Sequence, residues 1–307
     1  MRSRRTVGAF ALLLAAITGS RMVLVGSSGA QAPAAQQPTI GAPSGALPNK
    51  EGSLKFAVIG DFGDESPQQM ETAAQIAATH TTFPFEFVLT AGDNIYGTER
   101  PQDFVNKFET PYKPLLDAGV KFYATLGNHD AQEQRYYKLF NMNGKLYYSF
   151  KAPKQDVRFF MLNSSYMDPD QVKWLESELQ GSMELWKIVV FHHPLYSSGA
   201  THGSSLSLRA TLEPLFVKYH VSVVLTGHDH IYERIKPQQG IVHFVLGSAG
   251  ELRQGDLTKT DMTAFGFDTD NAFFVAEIVD NTMYFNAISR TGKVIDFGTI
   301  KARGATK

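Results

Sequence analysis

Residues 221–234 read VSVVLTGHDHIYER, and how this stretch is read decides what fold the chain can have. Its first half is an apolar run, interrupted only by Ser222, of the kind that forms a buried strand. It then breaks at Gly227 and continues as His228, Asp229, His230. Packing alone gives a core strand no reason to end in two imidazoles one residue apart. In α/β sheets, ligands bind just beyond the carboxyl ends of the strands. The ending therefore points to an α/β sheet with a site along one edge.

The same texture recurs to either side. The runs LKFAVIGD (54–61), FEFVLTAGD (85–93), VKFYATLGNHD (120–130), VRFFMLNS (157–164) and WKIVVFHHP (186–194) are nearly continuous in apolar residues. Between them lie helical or polar stretches at 67–80, 101–119, 133–140, 168–180 and 206–220, the first with Pro67 at a favoured first-turn position. Continuous apolar strands alternating with helices indicate strands covered on both faces. After His230 the texture changes. Residues 241–250, 271–281, 282–292 and 294–300 read as further strands joined by turns at Asp280-Asn281 and Thr291-Gly292. The expected fold is α/β, a two-sheet β-sandwich flanked by helices, with metal ligands at the carboxyl ends of strands.

Five strand ends carry the chemistry. They offer Asp61 in GDFGD, Asp93 and Tyr96 in GDNIY, Asn128 in GNHD, His192 in VVFHHP, and His228 with His230 in GHDH. Any one of these is weak, since an Asp in a Gly-rich turn or a single buried His is usually structural. Together they bring oxygen and nitrogen donors to one edge. The chain of 307 residues has no cysteine, so thiolate sites, disulfides and cysteine nucleophiles are excluded and a metal must be held by oxygen and imidazole. These seven groups exceed what one first-row cation uses. They fit two cations sharing Asp93, an arrangement that clamps an in-line displacement.

The order of these motifs resembles the calcineurin-like metallophosphoesterases, and within them the purple acid phosphatases of the small tartrate-resistant type. The resemblance covers residues 55 to about 250, with GHDHIYER and FVLGSAG adding to it. It implies one metal on Asp61, Asp93, Tyr96 and His230, and a second on Asp93, Asn128, His192 and His228. It implies Fe(III) at the tyrosine site, since a phenol with an ordinary pKa near 10 ionises only beside a strong Lewis acid, and a divalent Fe, Zn or Mn at the other. A formal charge count leaves such a centre net positive, suited to a small phosphate-ester substrate. The implied reaction is hydrolysis of a phosphate monoester by in-line attack of a metal-bound hydroxide. His202 is the expected proton donor and His129 the expected phosphate contact. A metal-dependent phosphodiesterase acting on nucleotides or phospholipids is the alternative. Gly63, where many members of the wider superfamily have a histidine ligand, and Tyr96 mark the purple subgroup; the departures are Ala131, where some relatives have another histidine, and the short stretch 132–145, where an extended loop would sit. His193 is expected to point away by strand alternation, and His80, His220 and His243 to be structural or exposed.

The first residues are of another kind. Arg2, Arg4 and Arg5 precede an apolar run of about thirteen residues, short of the ~20 a span needs. Residues 1–32 are expected to be a signal peptide, by the general or the twin-arginine route. Residues 33–52 are expected to be a flexible linker and 53–303 the catalytic domain. The location is then periplasmic or extracellular, with no stable membrane anchor. The net charge of -1 offers no general attraction to nucleic acid.

Overall fold

The computed structural model describes residues 45–303; the expected signal segment and linker residues 33–44 lie outside them. Thirteen strands follow in chain order: β1 (Leu54–Ile59), β2 (Phe87–Thr90), β3 (Lys121–Ala124), β4 (Tyr148–Lys151), β5 (Val157–Met161), β6 (Trp186–Val190), β7 (Val223–Thr226), β8 (Tyr232–Ile235), β9 (Val242–Leu246), β10 (Thr263–Phe267), β11 (Ala272–Val279), β12 (Thr282–Ser289) and β13 (Val294–Lys301). The helices are α1 (Pro67–Thr82), α2 (Pro101–Phe104), α3 (Lys113–Asp117), α4 (Pro169–Gly181) and α5 (Leu206–Lys218).

Two sheets form. One has six strands in the order β13-β12-β11-β1-β2-β3, the other seven in the order β10-β8-β9-β7-β6-β5-β4. β1, β2 and β3 pair in parallel, as do β5, β6, β7 and β9. The remaining pairings are antiparallel; all but β4 with β5 involve the strand-rich end foreseen after His230, and β4 is a strand the sequence reading did not include. The two-sheet α/β expectation therefore holds.

Continuous apolar runs are explained by packing on both faces. Along β5 and β6, Phe159, Met161, Ile188 and Val190 enter the core shared by the sheets. Their neighbours Phe160, Val189 and Phe191 enter a second cluster with Leu175 and Leu179 of α4 and Leu208, Leu212 and Phe216 of α5. Successive side chains point to opposite faces, so both registers must be apolar.

Two stretches read only as helical or polar take a definite form, and one expectation needs correction. Residues 101–119 do not form one helix. α2 ends at Phe104, a wider-wound turn covers Val105–Glu109, and α3 resumes at Lys113. Pro111 and Pro114 lack N–H donors, which interrupts the ladder. Residues 133–140 become two short 3-10 segments, Gln132–Tyr136 and Lys138–Phe140. Finally, residues 45–52, read as the end of a linker, lie against the six-stranded sheet. Leu47 packs on the core, and the backbone N–H groups of Asn49 and Lys50 donate to the Glu277 carboxylate, each at 2.6 Å.

Candidate metal centre

Every candidate ligand emerges just beyond a parallel strand: Asp61 after β1, Asp93 and Tyr96 after β2, Asn128 after β3, His192 after β6, and His228 and His230 after β7. The chain turns sharply at these points. Asp61, Asp93 and His228 hold φ values of 55°, 50° and 73°, in the left-handed region that non-glycine residues enter at a cost and that clusters at functional sites.

The side chains meet in two groups joined by one oxygen. The Tyr96 hydroxyl lies 3.2 Å from Asp61 Oδ1, 3.2 Å from Asp93 Oδ2 and 3.1 Å from His230 Nε2. His192 Nε2 lies 3.3 Å from the same Asp93 Oδ2, 3.0 Å from Asn128 Oδ1 and 3.2 Å from His228 Nδ1. The structure thus brings all seven residues together, and single ligand atoms of Asp61, Asp93 and His192 all lie within 4.8 Å of one another.

Two glycines make the approach possible. A Cβ on Gly127 would come within 2.0 Å of Asp93 Oδ1. A Cβ on Gly63 would sit 1.9 Å from the Asn94 carbonyl oxygen, so no side chain fits there. The Gly63 carbonyl instead accepts from the Tyr96 N–H at 2.9 Å, which fixes the segment that delivers the phenol. The glycine at position 63 and the presence of Tyr96 are two sides of one arrangement.

The donor set calls for cations. Asp61 and Asp93 are fully buried, and among the described residues neither has a Lys or Arg partner. Unpaired buried carboxylates cost several kcal/mol each. Backbone N–H groups of His228 and His129 compensate part of this, donating to Asp61 and Asp93 at 2.9 Å each. His192 Nδ1 faces the Ala91 carbonyl at 2.9 Å, which can only accept, so Nδ1 carries the proton. This leaves the Nε2 lone pair among other acceptors. A second proton on His192 is one remedy: burial opposes it, but Asp61 and Asp93 outweigh burial and raise the imidazole to about 9. A cation satisfies all the acceptors at once. Burial and its neighbour His192 push His228 down to about 2, so it stays neutral with a lone pair available to a cation. Burial, then the carboxylates of Asp61 and Asp93, push the Tyr96 phenol far above its ordinary range. It can ionise here only against a strongly charged ion. The residues therefore fit two metal ions.

The two other candidates frame the centre. The exposed His129 ring tilts over Tyr96 with centroids 4.9 Å apart, and the exposed His202 ring stacks on His228 at 4.2 Å. His193 corrects its expectation. It packs 4.3 Å from His228, with Nδ1 2.9 Å from Ser164 Oγ. Strand alternation does not apply to it, because β6 ends at Val190. His80 and His243 are structural as expected, the first 3.1 Å from the Phe85 carbonyl and the second buried against Tyr196.

Some supporting residues were missed although they stand inside the same motifs. Asp130 accepts from the N–H groups of Gly127 (2.8 Å), Asn94 (2.8 Å) and Ile95 (3.1 Å), locking two ligand loops together. Burial and Asp93 raise its carboxyl to about 7. Asp229, buried between the two histidines of GHDH, accepts from the Ser197 hydroxyl and holds the loop that carries His202.

A sheet edge with this donor set defines a metallophosphoesterase, a class of hydrolase. Residues 54–232 match the family described as calcineurin-like phosphoesterase, and the chain belongs to that family, whose members use two metal ions. It is similar to the tartrate-resistant acid phosphatase type 5 of Rattus norvegicus, with 25% identity covering 78% of this chain and 88% of the relative. It is also similar to purple acid phosphatase 3 of Arabidopsis thaliana, with 28% identity covering 74% of this chain and 71% of the relative. Among solved structures, the purple acid phosphatase from yellow lupin (Lupinus luteus) seeds superimposes with a TM-score of 0.69 at 19% identity, covering 83% of this chain and 55% of that one. This last likeness shows the fold alone.

Proposed function

We propose that the chain is an exported acid phosphatase that hydrolyses phosphate monoesters at a two-metal centre. The observation that carries the reading is the sharing of Asp93 Oδ2 between the Tyr96 group and the His192 group. Asp61, Asp93, Tyr96 and His230 would hold Fe(III); Asp93, Asn128, His192 and His228 would hold a divalent Fe, Zn or Mn. Two such ions supply Lewis acidity toward a phosphoryl oxygen and make water acidic enough to attack near neutral pH. The chain's own residues do the rest. His129 meets the phosphoryl group from the side of Tyr96. His202 gives a proton to the departing alkoxide. Asp229 keeps the His202 loop in place through Ser197 and, at 3.4 Å, the Gly203 N–H. Export rests on the arginines and apolar run of residues 1–32, and the catalytic domain on residues 53–303 together with residues 45–52, which pack on its sheet.

Steady-state rates on p-nitrophenyl phosphate and bis-p-nitrophenyl phosphate test the reaction class. The monoester is expected to be turned over with the higher kcat/KM; preference for the diester would overturn the monoester assignment.

The His202 role has its own signature. His202→Ala should slow hydrolysis of an alkyl phosphate such as glycerol phosphate by about 100-fold. It should slow p-nitrophenyl phosphate far less, because nitrophenolate leaves without a proton. Equal losses on both substrates would mean that His202 binds phosphate. Asp229→Ala should weaken alkyl phosphate hydrolysis by about 10-fold through the loosened loop, with metal content unchanged. Loss of metal in that variant would place Asp229 in support of the ligands and not of His202.

A further inference from the structure

Among the apolar runs that lead to the parallel strand ends before β8, only VRFFMLNS (157–164) delivers none of the seven candidate ligands. Its last residue instead meets a histidine to which the two-metal reading gives no task. β5 and β6 pair in parallel, so Ser164 beyond one adjoins His192 and His193 beyond the other. The Ser164 backbone is anchored from below. Gln171 of α4, itself buried, accepts from the Asn163 N–H at 2.8 Å and donates to the Asn163 carbonyl at 2.9 Å.

The hydrogen bonds at Ser164 fix the tautomer of His193. Ser164 Oγ accepts from the His192 N–H at 3.2 Å and from the His193 N–H at 3.0 Å. Two acceptances occupy both lone pairs of a hydroxyl and leave its proton to give. The remaining partner is His193 Nδ1 at 2.9 Å. That nitrogen therefore accepts, and the ring's own proton sits on Nε2. Nε2 has no partner among the described residues, and His193 is only half-buried. It is a donor set in one tautomer and left open.

Its position gives that donor a use. The His193 ring lies 4.3 Å from His228 and 4.9 Å from His192, centre to centre. One ring nitrogen from each of the three lies within 4.8 Å of the others. His192 and His228 stand on the side of the centre away from Tyr96, whereas His129 packs on Tyr96 itself. An N–H this close to ligand nitrogens reaches an oxygen held over the same side, where negative charge develops in phosphoryl transfer.

Resting on the phosphatase reading, we propose that His193 is a further catalytic residue, whose Nε2–H donates to a phosphoryl oxygen of the substrate on the His192–His228 side. Ser164 is the positioning residue that keeps the ring a donor. His129 and His193 then hold the phosphoryl group from two sides, and His202 serves the departing oxygen. The His193 contact acts on the group being transferred, so its effect does not depend on which alcohol leaves.

The test sets His193→Asn against His193→Gln on the metal-loaded full chain. An asparagine amide reproduces the Nδ1 contact with Ser164 and lacks the Nε2 donor. A glutamine amide reaches the Nε2 position and gives up the contact. His193→Asn should weaken binding of inorganic phosphate, read by calorimetry, by about 10-fold, and lower kcat/KM by about 10-fold on p-nitrophenyl phosphate and glycerol phosphate alike. His193→Gln should stay within about threefold of the wild-type chain. Both should keep the wild-type metal content. A ring that only braces Ser164 reverses the ranking of the two variants, and that reversal overturns the proposal. So does wild-type phosphate affinity in His193→Asn, loss of a metal ion from it, which would make the ring a ligand, or a defect confined to glycerol phosphate, which would make it a proton donor. Should His193→Asn fail to fold, near wild-type phosphate affinity in His193→Gln supports the role and a loss of about 10-fold there overturns it. If the wild-type chain hydrolyses neither substrate, the phosphatase reading fails on its own. Phosphate calorimetry then still decides His193: weaker binding to His193→Asn supports it, and equal binding, or none to the wild-type chain, overturns it.

Discussion

Asp93→Asn is expected to lower kcat/KM on p-nitrophenyl phosphate by about four powers of ten, because it removes the one group shared by both halves of the centre. The substitution is close to isosteric. Asparagine tolerates the left-handed backbone that Asp93 adopts, and its amide oxygen can still accept from the His129 N–H. Fold and loop geometry should survive, which far-ultraviolet circular dichroism would verify. What changes is charge. In the wild-type chain burial works against ionisation of Asp93, but His192 and the His129 N–H overcome it and hold the carboxyl well below the usual range. A neutral amide offers no second anionic oxygen toward Tyr96 and His192. Metal content should fall together with activity. A folded Asp93→Asn protein with near wild-type turnover would remove the shared carboxylate from the explanation.

The second large effect is optical. If Tyr96 is a phenolate on Fe(III), the purified protein absorbs in the visible, and Tyr96→Phe abolishes that band. The argument turns on the surroundings of the hydroxyl. It sits within 3.2 Å of two carboxylate oxygens, which together with burial strongly oppose its ionisation. Only a highly charged ion among the same oxygens reverses that balance. Phenylalanine retains the ring that packs against His129 while deleting the oxygen. A band that persists in Tyr96→Phe, or a colourless wild-type protein holding two divalent ions, would refute the ferric assignment and leave the phosphoesterase family intact.

The sites of this chemistry were legible because each lies in a short motif at a strand end. GDFGD, GDNIY, GNHD, VVFHHP and GHDH each pair a sharp turn with a polar donor, and such pairings survive in one dimension. The nearly continuous apolar runs of β5 and β6 likewise declare strands packed on both sides. What the sequence concealed depends on partners far away in the chain. Asp130 is a ligand-loop clamp only because Gly127, Asn94 and Gln134 converge on it. Residues 45–52 resemble a linker until Glu277 is found accepting their N–H groups. His193 was misplaced because the end of β6, and with it the end of alternation, is set by tertiary contacts. β4, β8 and β10 are no shorter than the strands that were read, but YSFK, YERI and TAFGF lack a continuous apolar run.

The most direct test is anomalous diffraction from crystals of the native protein, collected across the iron, zinc and manganese edges. Two peaks roughly 3.5–4 Å apart are expected, one on either side of the Asp93 carboxylate, with an iron signal on the Tyr96 side. A single peak, or peaks remote from Asp93, would contradict the two-metal centre and the reaction built on it.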